Sequence, residues 1–165
     1  MPSPSQPYRV LLLCLGNICR SPTAEGVLRA RAQARGVSDR LIIDSAGTAG
    51  YHQGEPPDPR TVQAARSRGY DLSSLRSRQL TVSDFDQFDE ILAMDARNLE
   101  DAKSLMTRAS GACQLTLFLD YAPEKGPSEV PDPYYGGAGG FETVLDLCEA
   151  AADGWLDAKG LTTTG

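Results

Sequence analysis

Short apolar runs alternate with helical segments along the sequence, and this alternation limits the fold more than any other feature. The first run, residues 10–13 (Val-Leu-Leu-Leu), is typical of a buried central strand; even extended to residues 10–15 it is too short to span a membrane. Further strands are predicted at residues 41–43, 88–93 and 115–119. Four strands separated by helices predict a single-domain α/β fold, a doubly wound four-stranded parallel sheet with helices on both faces.

Helix signals occupy the gaps between these runs. Ser21 begins the first helix, Pro22 stands in its first turn, where the missing N–H loses no partner, and Gly36 ends it. The other predicted helices are residues 60–68, 96–106 with Asp95 as its cap, and about 141–156. Residues 123–140 hold five glycines and four prolines, so they are predicted to form a loop without regular structure.

Length and charge limit the possible functions. The chain of 165 residues fits one domain, which we expect at residues 8–158, between a flexible tail at 1–7 and a frayed C-terminus at 159–165. The net charge of -6 argues against nucleic acid or an anionic membrane as a partner. An anionic substrate must therefore be attracted by a locally positive site.

The cysteines give no sign of a disulfide framework or a metal site. Cys14, Cys19, Cys113 and Cys148 follow neither pattern, and the chain has a single histidine. The N-terminus lacks a signal-peptide pattern. We therefore expect a cytoplasmic protein with reduced thiols, no metal and no cofactor.

The segment between the first strand and the first helix carries the clearest chemical signal. Cys14 and Arg20 are separated by five residues, in a position where backbone N–H groups and a helix N-terminus can hold a phosphoryl group. Arg20 offers a planar fork for two phosphoryl oxygens, and Asn17 tolerates a left-handed backbone. The predicted phosphate-binding residues of this loop are Leu15, Gly16, Asn17, Ile18, Cys19 and Ser21.

This environment favours Cys14 as a thiolate nucleophile. The alternative is a buried structural cysteine at a strand end, which is common for a cysteine considered alone. Arg20, Ser21 and Pro22 together favour the catalytic interpretation. A nucleotide-binding Walker loop is excluded because its Gly-Lys-Ser/Thr ending is absent.

The loop resembles the signature of the low-molecular-weight protein tyrosine phosphatases, and other motifs follow in the order of that family. These are residues 44–48 (Asp-Ser-Ala-Gly-Thr), 58–60 (Asp-Pro-Arg), 94–95 with Asn98, 132–136 (Asp-Pro-Tyr-Tyr-Gly) and 141–142. The resemblance extends over roughly residues 8–156, and its most specific parts are the cysteine loop and the Asp-Pro-Tyr-Tyr element.

The resemblance implies roles for several residues in addition to Cys14 and Arg20. Asp132, in a Gly/Pro-rich loop, is implied to protonate the leaving oxygen and then to deprotonate water, although an Asp-Pro pair alone also starts turns. Ser21 is implied to stabilise the leaving thiolate. Tyr51 on one side and Tyr134 and Tyr135 on the other are expected to form aromatic walls, with ordinary loop packing as the alternative. The histidine after Tyr51 is expected to be solvated.

The same resemblance implies support for the loop from Asn17 and Ser45, through a buried hydrogen-bond network. Some members place a histidine in this region where the present chain has Leu75, so that role is not transferred. Cys19 could form a reversible disulfide with Cys14, or remain an unreactive buried thiol.

The implied activity is hydrolysis of phosphotyrosine in proteins through a cysteinyl-phosphate. Three alternatives stay open at this point. An arsenate reductase needs relay cysteines, but Cys113 and Cys148 are isolated. A phosphoarginine phosphatase is less favoured because such members tend to have threonine where Ile18 stands. A non-catalytic phosphate-binding module is less favoured because all three catalytic candidates are present.

The expected partners are phosphotyrosine-containing proteins, including a cognate bacterial tyrosine kinase, since bacterial relatives often act beside such kinases. We expect a monomer that neither binds nucleic acid nor inserts into a membrane.

Overall fold

A four-stranded parallel sheet forms the centre of the molecule. The computed structural model describes residues 6–109, 113–125, 129–133 and 139–161. Within these residues the strands are β1 (Tyr8–Cys14), β2 (Leu41–Gly47), β3 (Glu90–Ala93) and β4 (Gln114–Leu117). All pairings are parallel, in the order β2-β1-β3-β4, so β1 and β3 are central.

Helices connect the strands and cover the sheet. The α-helices of the described residues are α1 (Arg20–Ala34), α2 (Pro59–Arg66), α3 (Asp84–Gln87), α4 (Ala96–Met106) and α5 (Gly139–Ala158). Short 3₁₀ helices are Ser38–Arg40, Phe118–Tyr121 and Pro123–Lys125. The predicted single-domain, doubly wound four-stranded parallel sheet is confirmed.

Alternate side chains of β1 serve the two faces of the sheet. Val10 and Leu12 pack in the larger core with residues of α1 and α5, whereas Leu11 and Leu13 pack in the smaller core with residues of α3 and α4. All four side chains are fully buried. This two-sided burial explains why the run is continuously apolar instead of alternating with polar residues.

β1 and β2 extend beyond their predicted limits, whereas β3 and β4 each lose apolar residues that were predicted to belong to them. Phe88 was expected in β3, but it ends the short helix α3 and β3 begins at Glu90. Phe85 and Phe88 both enter the smaller core, a spacing of three that suits a helical turn. Leu119 was expected in β4, but the chain turns into a 3₁₀ helix after Leu117, which buries Phe118 and Leu119 in the larger core.

A buried carboxylate fixes the amino end of the sheet. Glu90, fully buried, begins β3 and pairs in register with Val10. Its donors are Tyr8 Oη (3.2 Å), Thr116 Oγ1 (3.2 Å), Tyr121 Oη (2.9 Å), Trp155 Nε1 (3.1 Å) and Lys159 Nζ (3.0 Å). The charge is thus paired and hydrogen-bonded, the condition under which a carboxylate tolerates burial.

Chain contacts continue past residue 158, where the domain was expected to end. The backbone nitrogen of Leu161 donates to Leu156 (2.8 Å), and Arg35 Nη1 donates to the Leu161 carbonyl (3.1 Å). Residues 1–5 and 162–165 lie outside the described residues. Among the helices of the described ranges, none has the length and apolar character needed to cross a bilayer.

Candidate active site

The cysteine loop lies at the carboxyl end of the central strand β1. Cys14 is the last residue of β1, opposite Gly47 of β2, and α1 begins six residues later at Arg20. Connections from β1 lead to β2 on one side, while β3 pairs on its other side, so the strand order reverses here. Ligands of open α/β sheets bind at such reversal points.

The backbone of the loop is held in a curved conformation. Asn17 is the one described non-glycine residue with a positive φ (57°), which an asparagine adopts more easily than most residues. The backbone nitrogens of Thr48 and Ala49 donate to the carbonyls of Cys14 and Leu15, both at 2.9 Å. The strand β2 and its continuation therefore fix the first half of the loop.

The Cys14 sulfur has hydrogen-bond donors from the loop itself. Ser21 Oγ lies 3.1 Å from Cys14 Sγ, and the backbone nitrogen of Asn17 donates to the sulfur at 3.3 Å. These donors and the adjacent helix N-terminus stabilise negative charge on the sulfur.

The other three thiols are buried, and their pKa values are raised. Burial raises the pKa of Cys19 to about 12 and that of Cys113 to about 11, and it also raises the pKa of Cys148. All four cysteines are free. Cys14 is the cysteine whose sulfur lies within hydrogen-bond distance of Ser21 Oγ and of the Asn17 backbone nitrogen, which makes it the candidate nucleophile.

Arg20 is buried and held by three segments. Its Nη1 donates to Asp95 Oδ2 (2.6 Å) and to the carbonyl of Val130 (3.1 Å), and its Nη2 lies 3.7 Å from Asp132 Oδ2. Burial alone would lower the pKa of Arg20, but the neighbouring charges of Cys14 and Asp95 outweigh it and raise the pKa. The guanidinium is therefore permanently charged beside the cysteine.

The Asp95 carboxylate accepts hydrogen bonds from two different parts of the chain. Its Oδ1 accepts from the backbone nitrogen of Asn98 (2.7 Å), which confirms the predicted helix cap, and its Oδ2 accepts from Arg20. The sequence reasoning found the cap but missed the contact with Arg20. A carboxylate two residues after a strand end, at the same sheet edge as the cysteine loop, was the signal available.

The cysteine, the arginine and Asp132 border one cavity of about 190 Å³. Its lining residues are Cys14, Leu15, Gly16, Ile18, Cys19, Arg20, Tyr51, His52 and Asp132. The Asp132 side chain is partly exposed at 34%. Residues far apart in sequence thus meet at the carboxyl end of the sheet.

Of the two aromatic walls predicted for the cavity, only the one formed by Tyr51 lies within the described residues. Tyr51 lines the cavity and is 77% exposed. His52 was expected to be solvated, but it also lines the cavity and is partly buried, with Nδ1 2.7 Å from Glu55 Oε2. Tyr134 and Tyr135, predicted as the opposite wall, lie outside the described residues.

Asn17 connects the loop to a buried polar network. Its Nδ2 donates to Ser21 Oγ (2.8 Å) and Ser45 Oγ (3.0 Å), and its Oδ1 accepts from the backbone nitrogen of Arg78 (3.0 Å). The structure thus brings together Asn17 and Ser45, as the family resemblance implied. Leu75 makes no polar contribution and packs against the larger core.

The network ends at Glu25, which the sequence reasoning did not assign to it. Ser45 Oγ donates to Glu25 Oε1 (2.6 Å), and Arg29 Nε donates to Glu25 Oε2 (2.9 Å). Burial raises the pKa of Glu25, although Ser45 and Arg29 act in the opposite direction. Glu25 lies one helical turn after Ser21, a spacing that places both on the same side of α1.

Within the described part of the chain, no three histidine, cysteine, aspartate or glutamate side chains are grouped so that they could hold a metal ion.

Comparison with known proteins identifies the family. The family model for low molecular weight phosphotyrosine protein phosphatase matches residues 9–163. A low molecular weight protein-tyrosine-phosphatase of Streptomyces coelicolor is 44% identical, covering 92% of this chain and 93% of the relative. The human low molecular weight phosphotyrosine protein phosphatase is 41% identical, covering 90% and 93%. The crystal structure of YfkJ from Bacillus subtilis superposes with a TM-score of 0.88 at 35% identity, covering 96% and 98%. This chain therefore belongs to the low molecular weight protein tyrosine phosphatases, a family of hydrolases.

Proposed function

We propose that this protein hydrolyses phosphotyrosine in proteins, with Cys14 as nucleophile, Arg20 as phosphate clamp and Asp132 as general acid and base. One observation carries the proposal: these three side chains border the same cavity, and Arg20 Nη2 lies 3.7 Å from Asp132 Oδ2. An acidic protein with a buried, permanently charged arginine at this position has the local positive field that an anionic substrate requires.

In the first step the Cys14 thiolate attacks phosphorus, and an S–P bond forms as the P–O bond to the tyrosyl oxygen breaks. Asp132, protonated, gives its proton to the departing phenolate. Both hydrogens of Arg20 Nη1 are used by Asp95 and Val130, so Nε and Nη2 form the edge that holds two phosphoryl oxygens. Backbone N–H groups of the loop stabilise the remaining charge.

In the second step Asp132, now a carboxylate, takes a proton from water. The water oxygen bonds to phosphorus, the S–P bond breaks and inorganic phosphate forms. Ser21 Oγ, 3.1 Å from the sulfur, donates to the thiolate as it leaves. Nucleophile, clamp and acid are all side chains of this chain, so we propose a reaction without metal or cofactor.

An aryl phosphate suits the cavity better than an alkyl phosphate. Tyr51 and Leu15 are exposed apolar side chains at its rim, where they can cover a phenyl ring. Ile18 adds apolar lining at the position where phosphoarginine phosphatases tend to have threonine. We propose that Tyr134 and Tyr135 complete the wall on the far side.

The same proposal includes the oligomeric state, the cellular location and the protein substrates of the enzyme. We propose a monomeric enzyme in the bacterial cytoplasm, acting on proteins phosphorylated by a cognate tyrosine kinase. Its single domain begins at about residue 8, and the contacts of Leu161 extend it past residue 158. Support comes from the net charge of -6, the free thiols and the bacterial relatives among the matches.

The decisive experiment is a turnover screen with matched phosphotyrosine, phosphoserine and phosphoarginine peptides. Wild-type protein should release phosphate fastest from phosphotyrosine, Cys14→Ser should release none, and Cys113→Ser, a buried cysteine in the smaller core, should retain activity. EDTA should leave the rate unchanged and vanadate should inhibit. Full activity of Cys14→Ser would overturn the mechanism, whereas preference for phosphoarginine would change only the substrate.

The role of Asp132 requires a second experiment, on kcat/KM across aryl phosphates. For Asp132→Ala we expect a loss of about 10²- to 10⁴-fold with phenyl phosphate, and a smaller loss with p-nitrophenyl phosphate, whose leaving group needs less protonation. Asp120→Ala, at an exposed aspartate, is the control. Equal losses across the series would remove Asp132 from the acid role.

A further inference from the structure

The segment that carries Asp132 has only a few described anchors. Residues 126–128 before it and 134–138 after it lie outside the described residues. Within residues 129–133, Val130 is buried, and its backbone nitrogen donates to the Met94 carbonyl at 2.7 Å. The Val130 carbonyl accepts from Arg20 Nη1 at 3.1 Å. Asp132 follows two residues later, so its position depends on how this short stretch is held.

Glu129 supplies an additional anchor through its side chain. Its Oε2 accepts from the backbone nitrogen of Ala96 at 2.7 Å. Ala96 is the first residue of α4, where the backbone N–H has no partner inside the helix. A carboxylate at this place also interacts favourably with the positive end of the helix dipole.

The N-terminus of α4 thereby joins the parts of the active site. Asp95 accepts from the third N–H of the first turn and holds Arg20, while Glu129 accepts from the first N–H and holds the segment of Asp132. Arg20 and Asp132 are thus both positioned against one rigid element. The two carboxylates reach it from different parts of the chain.

We propose that Glu129 is a positioning residue for the general acid, because its bond to the N-terminus of α4 sets the position of Asp132 relative to Arg20 and Cys14. This inference rests on the acid role proposed for Asp132. Glu129 itself is exposed and does not line the cavity, so it acts only through the segment that it anchors. The phosphate cradle is built by the Cys14 loop, and Arg20 keeps its own bond to Asp95, so phosphate binding does not require Glu129.

The test compares Glu129→Ala and Glu129→Gln with wild type, using kcat/KM for phenyl and p-nitrophenyl phosphate. If the free energy of this helix-capping bond is used to hold Asp132 in place, its loss lowers kcat/KM by up to about 30-fold, and we expect a decrease of about 2- to 30-fold for Glu129→Ala with phenyl phosphate. The decrease should be smaller with p-nitrophenyl phosphate. Glu129→Gln keeps an oxygen acceptor and should retain most of the activity, and Glu124→Ala, at an exposed glutamate, should stay within about twofold of wild type.

A change in positioning is separated from general damage by inhibition with inorganic phosphate, which should be the same for all variants. Equal losses with both substrates, weaker phosphate binding, or no loss in Glu129→Ala would each overturn the proposal. If Glu129→Ala does not fold, the proposal then depends on Glu129→Gln, and a uniform loss in that variant refutes it. Asp132→Ala in the same series separates the two hypotheses: without a leaving-group dependence there, the acid role itself fails.

Discussion

Gly47 offers a direct test of whether the backbone of the cysteine loop sets the rate. A Cβ built on Gly47 would lie 2.6 Å from the carbonyl oxygen of Leu15 and 3.1 Å from the backbone nitrogen of Asn17. Contacts under 3.0 Å are essentially never seen, and ordinary contact begins at 3.4 Å. Gly47→Ala must therefore move the loop or the strand by about 0.4 to 0.8 Å.

The strand has little freedom to move. The backbone nitrogen of Gly47 donates to Arg78 (2.9 Å), and its carbonyl accepts from Leu80 (2.7 Å). The displacement should therefore fall on the loop between Leu15 and Asn17. Overpacking of this kind lowers the free energy of unfolding by about 1–3 kcal/mol. Since a misplacement of about 1 Å can cost about 10²-fold, a shift of roughly half that size should lower kcat roughly 10-fold.

The assay measures kcat with p-nitrophenyl phosphate, inhibition by inorganic phosphate and unfolding by urea. Gly139→Ala is the matched control, because a Cβ at that position meets no atom of the described residues within 4 Å. It should leave both kcat and phosphate inhibition unchanged. If Gly47→Ala keeps kcat within about twofold and binds phosphate normally, the loop backbone does not set the rate as argued.

Three further predictions concern reactivity, pH and stability. Iodoacetamide near neutral pH should modify Cys14 and spare Cys19, whose pKa is raised to about 12 by burial; peptide mapping that finds Cys19 modified first would contradict this. Hydrogen bonds from Arg60 lower the pKa of Asp58 below its ordinary value of 3.8. The charged Asp58 therefore stabilises the folded state fully above pH 3.8, and this stabilisation is lost as the pH falls through the folded-state pKa. Urea unfolding should therefore show Asp58→Asn less stable than wild type at neutral pH, with a gap that closes in acid; a constant gap would refute this. Glu90→Ala leaves Lys159 without its buried partner and should lower the free energy of unfolding by about 3–5 kcal/mol. The kcat of the folded enzyme should stay unchanged, because Glu90 lies at the end of the sheet opposite the active site. A loss of kcat without a loss of stability would contradict this prediction.

The sequence alone was sufficient for the architecture because the signals were local. The continuous apolar run of β1 required burial on both faces. Pro22 marked a helix start through its missing N–H, and Asp95 marked one through its side-chain cap. The errors at Phe88 and Leu119 share a cause. Both are apolar residues next to a strand, and a short apolar run does not reveal whether its end continues in the sheet or turns into the core as a helix.

Some residues of the candidate site could be found from local sequence signals and others could not. Cys14, Asn17 and Arg20 lie within seven consecutive residues, so their chemistry was visible from spacing. Asp132 was found only through the family resemblance, since an Asp-Pro pair by itself also fits a turn.

The groups that hold these residues come from distant parts of the chain and became visible only in the folded structure. The hydrogen bonds from Arg20 to Asp95, from Ser45 to Glu25 and from Ala96 to Glu129 join residues that are 20 to 75 positions apart in the sequence. Hydrogen bonds of this kind depend on side-chain direction and on distances of about 3 Å, which no local pattern encodes. Residue spacing alone placed Cys14 at the end of a buried strand and at the start of a phosphate-binding loop. The packing of β1, α1 and α4 brings Asp95 to Arg20 and Glu129 to the N-terminus of α4, and these two carboxylates hold Arg20 and the segment of Asp132 beside the phosphate cradle.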